Sequence, residues 1–117
     1  MINPKSLRVY KDAFTLSKKI FLTTEQLNIP FRLKDQLFGS STSICANLAE
    51  MSAFDNKNYK LQKIRVCIGE TNETEFWIDF LQETTNIPKE LYEQFTKEII
   101  TVRKQLLHLL TAMKQNN

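Results

Sequence analysis

The chain has 117 residues, enough for one domain with a substantial core and too few for two. Two glycines and three prolines leave room for few turns, and the longest apolar runs are only a few residues, which excludes a membrane-spanning helix. The net charge of +3 is uneven, with 11 Lys/Arg and 5 Asp/Glu in residues 1–65 but 5 and 8 in residues 66–117.

The first predicted element is a helix from about Lys5 to Leu27, with Asn3 as its cap and Pro4 in its first turn. At 100° per residue, Leu7, Val9, Tyr10, Ala13, Phe14, Leu16, Ile20 and Phe21 share one half of this helix. Lys5, Arg8, Lys11, Lys18 and Lys19 share the other. Asn28-Ile29-Pro30 ends it, because the residue before a proline is pushed out of the α region.

A second helix is predicted over residues 31–51, with an apolar stripe of Leu37, Phe38, Ile44, Cys45, Leu48 and Met51. Beside the stripe runs a polar line of Gln36, Ser40, Ser43, Asn47 and Glu50 at spacings of four and three. Serine is a mediocre helix former, so the line is either a loosely constrained solvent face or a close helix contact. In a close contact, small side chains let backbones approach while Asn47 and Glu50 supply hydrogen bonds.

The third helix is predicted over residues 57–83, with Asp55 or Asn56 as its cap. Phe76, Trp77, Ile78, Phe80 and Leu81 spread over about 200° of this helix, where one core-facing stripe needs about 100°. Deep burial would account for the excess, and so would a second apolar surface covered by another copy of the chain. The second alternative is favoured, since a four-helix bundle has no central helix; Phe76, Trp77, Phe80 and Leu81 are the candidate interface. Gly69, in mid-helix, costs about 1 kcal/mol relative to Ala and is expected to mark the close approach of another backbone.

In the fourth helix, residues 88–114, Tyr92, Phe95, Ile99, Val102, Leu106, Leu109 and Met113 recur every three or four residues. Short connections force neighbouring helices antiparallel. The fold expected is all-α, an up-down-up-down antiparallel four-helix bundle forming one domain over residues 1–117.

Chemistry is sparse. Cys45 and Cys67 show neither metal-ligand nor disulfide-framework spacing, and residues 1–7 carry no secretory pattern, so a reduced cytoplasmic chain is expected. His108, the one histidine, has no Glu-x-x-His spacing, and no phosphate loop or nucleophile elbow occurs. No enzyme, metal or cofactor is expected. The basic side of the first helix, with Lys57, Lys60, Lys63 and Arg65 of the third, is the best candidate for phosphate contact with RNA or DNA; an ordinary solvated face is the alternative.

Gln36-Leu37 and the run Ser43-Ile44-x-x-Asn47-Leu48-Ala49-Glu50 resemble the core motif of the 23S rRNA-intervening-sequence protein family, also called S23. Gly69-Glu70-x-x-Glu73-x-Glu75 is similar to that family's second motif, and Leu7-x-Val9-Tyr10-x-x-Ala13 to its opening helix. The family motif commonly has an Arg-Arg pair where this chain has Phe38-Gly39. The resemblance implies a four-helix bundle that assembles as a homopentamer around a central axis, and a family whose molecular role is not established. It motivates a non-enzymatic, nucleic-acid-associated adaptor, with a purely protein-binding scaffold as the alternative.

Overall fold

The computed structural model describes residues 3–115. Four helices carry the chain: α1, Arg8–Glu25; α2, Phe31–Glu50; α3, Lys57–Thr84; and α4, Lys89–Gln115. Each packs on its neighbours in sequence, and α1 closes the ring against α4. The diagonal pairs, α1 with α3 and α2 with α4, bring no Cα atoms within 8 Å of each other. The result is an up-down-up-down bundle measuring 49 × 21 × 20 Å.

The core follows from residues three and four apart landing on one helix face. Val9, Ala13, Leu16 and Ile20 of α1 meet Leu33, Leu37, Ile44 and Leu48 of α2. Cys67, Ile78 and Leu81 of α3 and Phe95, Ile99, Val102 and Leu106 of α4 complete it. Each fully buried Leu, Ile or Phe contributes about 1.5–3 kcal/mol relative to exposure, so the inner stripes dominate the stability of the bundle. Halfway along α3 the stripe turns polar, and Thr71 and Thr74 are completely buried. Their hydroxyls are satisfied by carbonyls of their own helix, Thr71 Oγ1 to Ile68 O at 2.6 Å and Thr74 Oγ1 to Glu70 O at 2.8 Å.

The helix ends differ in detail from the sequence reading. Asn3 does cap, its Oδ1 accepting from Lys5 N at 3.0 Å, but it caps a single 3-10 turn, Pro4–Ser6. Leu7 then extends (φ −69°, ψ 138°), and α1 starts only at Arg8. The cause is local: the N–H groups of Ser6 and Leu7 bond the carbonyls of Asn3 and Pro4, closing a tight turn that an α-helix does not continue. At the other end α1 stops at Glu25, where the N–H groups of Gln26 and Leu27 bond the Thr23 and Thr24 carbonyls. Pro88 lies just outside α4, and its carbonyl accepts from Leu91 and Tyr92. Asn56 caps α3 as expected, accepting from Tyr59 N at 2.9 Å.

A larger difference concerns three phenylalanines. Phe14, Phe21 and Phe38 were placed on apolar stripes by the wheel, yet 53%, 41% and 45% of their surfaces remain exposed. They sit at the edges of their stripes, where Phe21 and Phe38 meet each other across α1 and α2 with ring centroids 5.5 Å apart but stay open to solvent.

Candidate nucleic-acid interface

The basic residues fall into two groups that the fold keeps apart, because α1 and α3 are diagonal. On α3, Lys60 and Lys63 hold the end of α2. Lys60 Nζ donates to the Met51 carbonyl at 3.0 Å, satisfying a backbone acceptor that the helix end leaves open. Lys63 Nζ pairs with Glu50 Oε2 at 2.5 Å and lies 3.4 Å from Asn47 Oδ1. The Glu50 hydrogen bond raises the Lys63 pKa above its ordinary value, against a smaller opposing effect of burial. Lys57 Nζ reaches the Lys114 carbonyl at 3.0 Å. Arg65 is exposed.

On α1 the picture is different. Lys19 pairs with Glu98 of α4 at 2.9 Å, and Arg8 approaches Asp12 at 3.6 Å on the surface. Lys5, Lys11 and Lys18 are exposed, and none of the three takes part in an ion pair among the described residues. The predicted phosphate-binding set is therefore split, with Lys5, Lys11 and Lys18 on one side and Arg65 of α3 on the other outside any ion pair among the described residues.

The polar line of α2 faces α3 over much of its length. Ser40 is buried, and its hydroxyl lies 2.9 Å from Thr74 Oγ1. Thr74 has one proton and two oxygen neighbours, so it donates to Glu70 O while Ser40 donates to it, or it donates to Ser40. Asn47 donates from Nδ2 to Ser43 O at 2.8 Å, and Glu50 takes the Lys63 bridge. Gln36 stays exposed at the open end of the line. Along this line Ser40 meets α3 directly, whereas Asn47 and Glu50 reach it only through Lys63.

The aromatic arc of α3 divides. Ile78 and Leu81 are completely buried in the core, so Leu81 is not an exposed interface residue: it points inward three residues beyond Ile78. Phe76 and Phe80 are exposed and Trp77 is half-buried. Their rings form one cluster, with centroids 4.9 Å (Phe76–Trp77), 6.1 Å (Phe76–Phe80) and 5.9 Å (Trp77–Phe80) apart. Trp77 and Phe80 also line a groove of about 630 Å³ whose far wall is Pro30, Phe31, Arg32 and Gln36. Gly69 lies seven residues before Phe76 and eleven before Phe80, close to whole turns, so all three lie along one outer line. A Cβ added at Gly69 would meet nothing within 4 Å. The close backbone approach expected there is thus not made by this chain.

The acids of the second motif differ in their surroundings. Glu75 binds Arg103 of α4 at 2.6 Å, and the same guanidinium lies 3.2 Å from Asn72 Oδ1. Glu73 is exposed, with Trp77 Nε1 3.5 Å from its Oε1. Burial first, then the neighbouring Glu73 carboxylate, raises the Glu70 pKa. Cross-helix pairs that the sequence did not indicate include Tyr92 Oη to Asp79 at 2.9 Å and Gln105 Nε2 to Asp12 at 2.9 Å. No spacing rule could have found them, because their partners lie 13 and 93 residues apart on different helices.

Reactive chemistry is muted. Cys45 and Cys67 are free and buried, and desolvation raises their thiol pKa values to about 11 and about 12. His108 is exposed. Among the described residues, no group of three or more His, Cys, Asp or Glu could hold a metal ion, and no helix is long and apolar enough to cross a membrane.

Comparison with known proteins gives matches of two kinds. The family described as 23S rRNA-intervening sequence protein matches residues 5–108. Among solved structures, a crystal structure of a protein of unknown function from the S23 ribosomal protein family of Bacteroides thetaiotaomicron is similar, with a TM-score of 0.78 and 28% identity. That alignment covers 88% of this chain and 95% of the other. No curated protein matches.

Proposed function

This chain belongs to the 23S rRNA-intervening sequence protein family, and from that premise we propose that it acts as a non-enzymatic, homo-oligomeric bundle, a pentamer, serving as a nucleic-acid-associated adaptor in the cytoplasm. The observation that carries the assembly is the outer line of α3. Phe76 and Phe80 expose large apolar rings there, and Gly69 leaves open space beside them. A mid-helix glycine that no part of its own chain approaches costs helix stability without return, unless another backbone occupies the space. Exposed rings in contiguous clusters are what subunit contacts cover.

The nucleic-acid role is supported by the exposed lysines of α1 and by the net charge of +3. Repeating the chain around an axis multiplies that positive field. The groove between Phe31 and the Trp77–Phe80 pair favours a second reading, a scaffold that seats a protein segment. Salt dependence separates the two. An adaptor that neutralises phosphates binds RNA or DNA at low salt and weakens along a straight line of log K against log salt. Absence of binding to either nucleic acid at low salt leaves the scaffold.

A further inference from the structure

Along α1, Lys11, Phe14, Lys18 and Phe21 step by three, four and three residues, and all four are exposed. They therefore form one outward strip, alternating cation and ring over about 15 Å. The strip is widened by aromatic neighbours. Tyr10 lies beside Phe14, ring centroids 6.2 Å apart, and Phe38 of α2 lies beside Phe21 at 5.5 Å. Lys34 borders the same surface, in a hollow with Phe21, Phe31 and Phe38. Neither Lys11, Lys18 nor Lys34 has an ion-pair partner among the described residues. The acids Glu25 and Asp35 line the same hollow, so the unopposed positive charge of the strip lies toward Lys11 and Lys18.

We infer that this α1 strip is a track for single-stranded nucleic acid, with Phe14 and the Phe21–Phe38 pair as stacking platforms and Lys11, Lys18 and Lys34 as phosphate contacts. The inference rests on the nucleic-acid reading above and gives it a surface and a strand state. Two physical arguments select the ligand. Rings interleaved with unpaired cations match a chain that itself alternates flat bases and charged phosphates. In a duplex the base faces are stacked on the neighbouring base pairs, so rings of this kind gain from unpaired strands and contribute little to duplex binding. Exposed phenylalanines also stabilise the bundle less than buried ones, so they can be removed while the core remains intact.

The test uses a fluorescently labelled oligouridylate of about 16 nucleotides and a duplex of the same length, titrated with the full-length protein at low salt. Wild type is expected to bind the single strand more tightly. Phe14→Ala with Phe21→Ala should lower single-strand affinity by about fivefold or more while leaving duplex affinity unchanged. Lys11→Gln with Lys18→Gln should reduce the slope of log K against log salt by about 1.4, two phosphate contacts at about 0.7 each. Far-UV circular dichroism and solution mass are measured on every variant. Unchanged single-strand affinity in the phenylalanine variant overturns the track while leaving the adaptor reading standing, and no binding by wild type removes both. A fall in solution mass for the phenylalanine variant also overturns the track, because the strip is then a contact between copies.

Discussion

At the residue scale, the feature that most repays measurement is the buried hydroxyl pair Ser40–Thr74, which joins α2 to α3 inside an otherwise apolar layer. A net hydrogen bond is worth about 0.5–1.5 kcal/mol, but a buried hydroxyl left without a partner costs about 1–3 kcal/mol. Thr74→Val strands Ser40, whereas Ser40→Ala leaves Thr74 bonded to Glu70 O. Urea denaturation should therefore show Thr74→Val as the more damaging single change. The Ser40→Ala, Thr74→Val double variant should be less destabilised than the two singles summed, since nothing polar is then stranded. Additive losses would mean that the hydroxyls do not depend on each other.

The thiols make a second residue-scale prediction. Desolvation holds the Cys45 and Cys67 protons up to about 11 and about 12, while an unfolded chain releases them near 8.5. Above that lower value the unfolded state binds fewer protons than the folded one. The thiol contribution to stability is thus intact below about pH 8.5 and is lost as pH rises toward the folded values. At pH 8 a thiol reagent should label neither cysteine at an appreciable rate in the native protein and both rapidly in denaturant. Fast native labelling would contradict the burial of both groups.

At the element scale, much was legible because each helix carries its own period and its own stop. The seam of α4 from Tyr92 to Leu109, the Asn56 cap and the Pro30 and Pro88 boundaries are local signals, and all mark real features. What escaped was non-local or depended on exact angles. A wheel places Phe14, Phe21 and Phe38 on the apolar half but does not say where the next helix stops covering it. The same limit put Leu81 with Phe76 and Phe80, although it faces the core. The Leu7 break was invisible because Asn3 and Pro4 signal a helix start equally well for a single turn. For the candidate site, the identities of the basic residues were legible, but their engagement was not. Lys60 and Lys63 reach acceptors at the end of α2, a geometry that exists only once α2 and α3 pack.

At the scale of the whole molecule, the four-helix architecture was legible from turn scarcity and four apolar stripes, and it follows from short connections. The fold leaves two surfaces unused by the single chain: the Gly69–Phe76–Phe80 line on α3 and the Lys11–Phe21 strip on α1. The two surfaces lie on diagonal helices, and Phe31 and Asp35 of α2 border both. An assembly through the α3 line leaves the Lys11–Lys18 part of the strip, on the diagonal helix, for a ligand. The most direct measurement is the solution mass by light scattering, for wild type and for Phe76→Ser with Phe80→Ser. Wild type should run at five times the 13.7 kDa chain mass, and the variant should fall toward the monomer with its helical circular dichroism retained. A wild-type protein that scatters as a 13.7 kDa monomer at all concentrations would contradict the assembly, and so would a variant of undiminished mass.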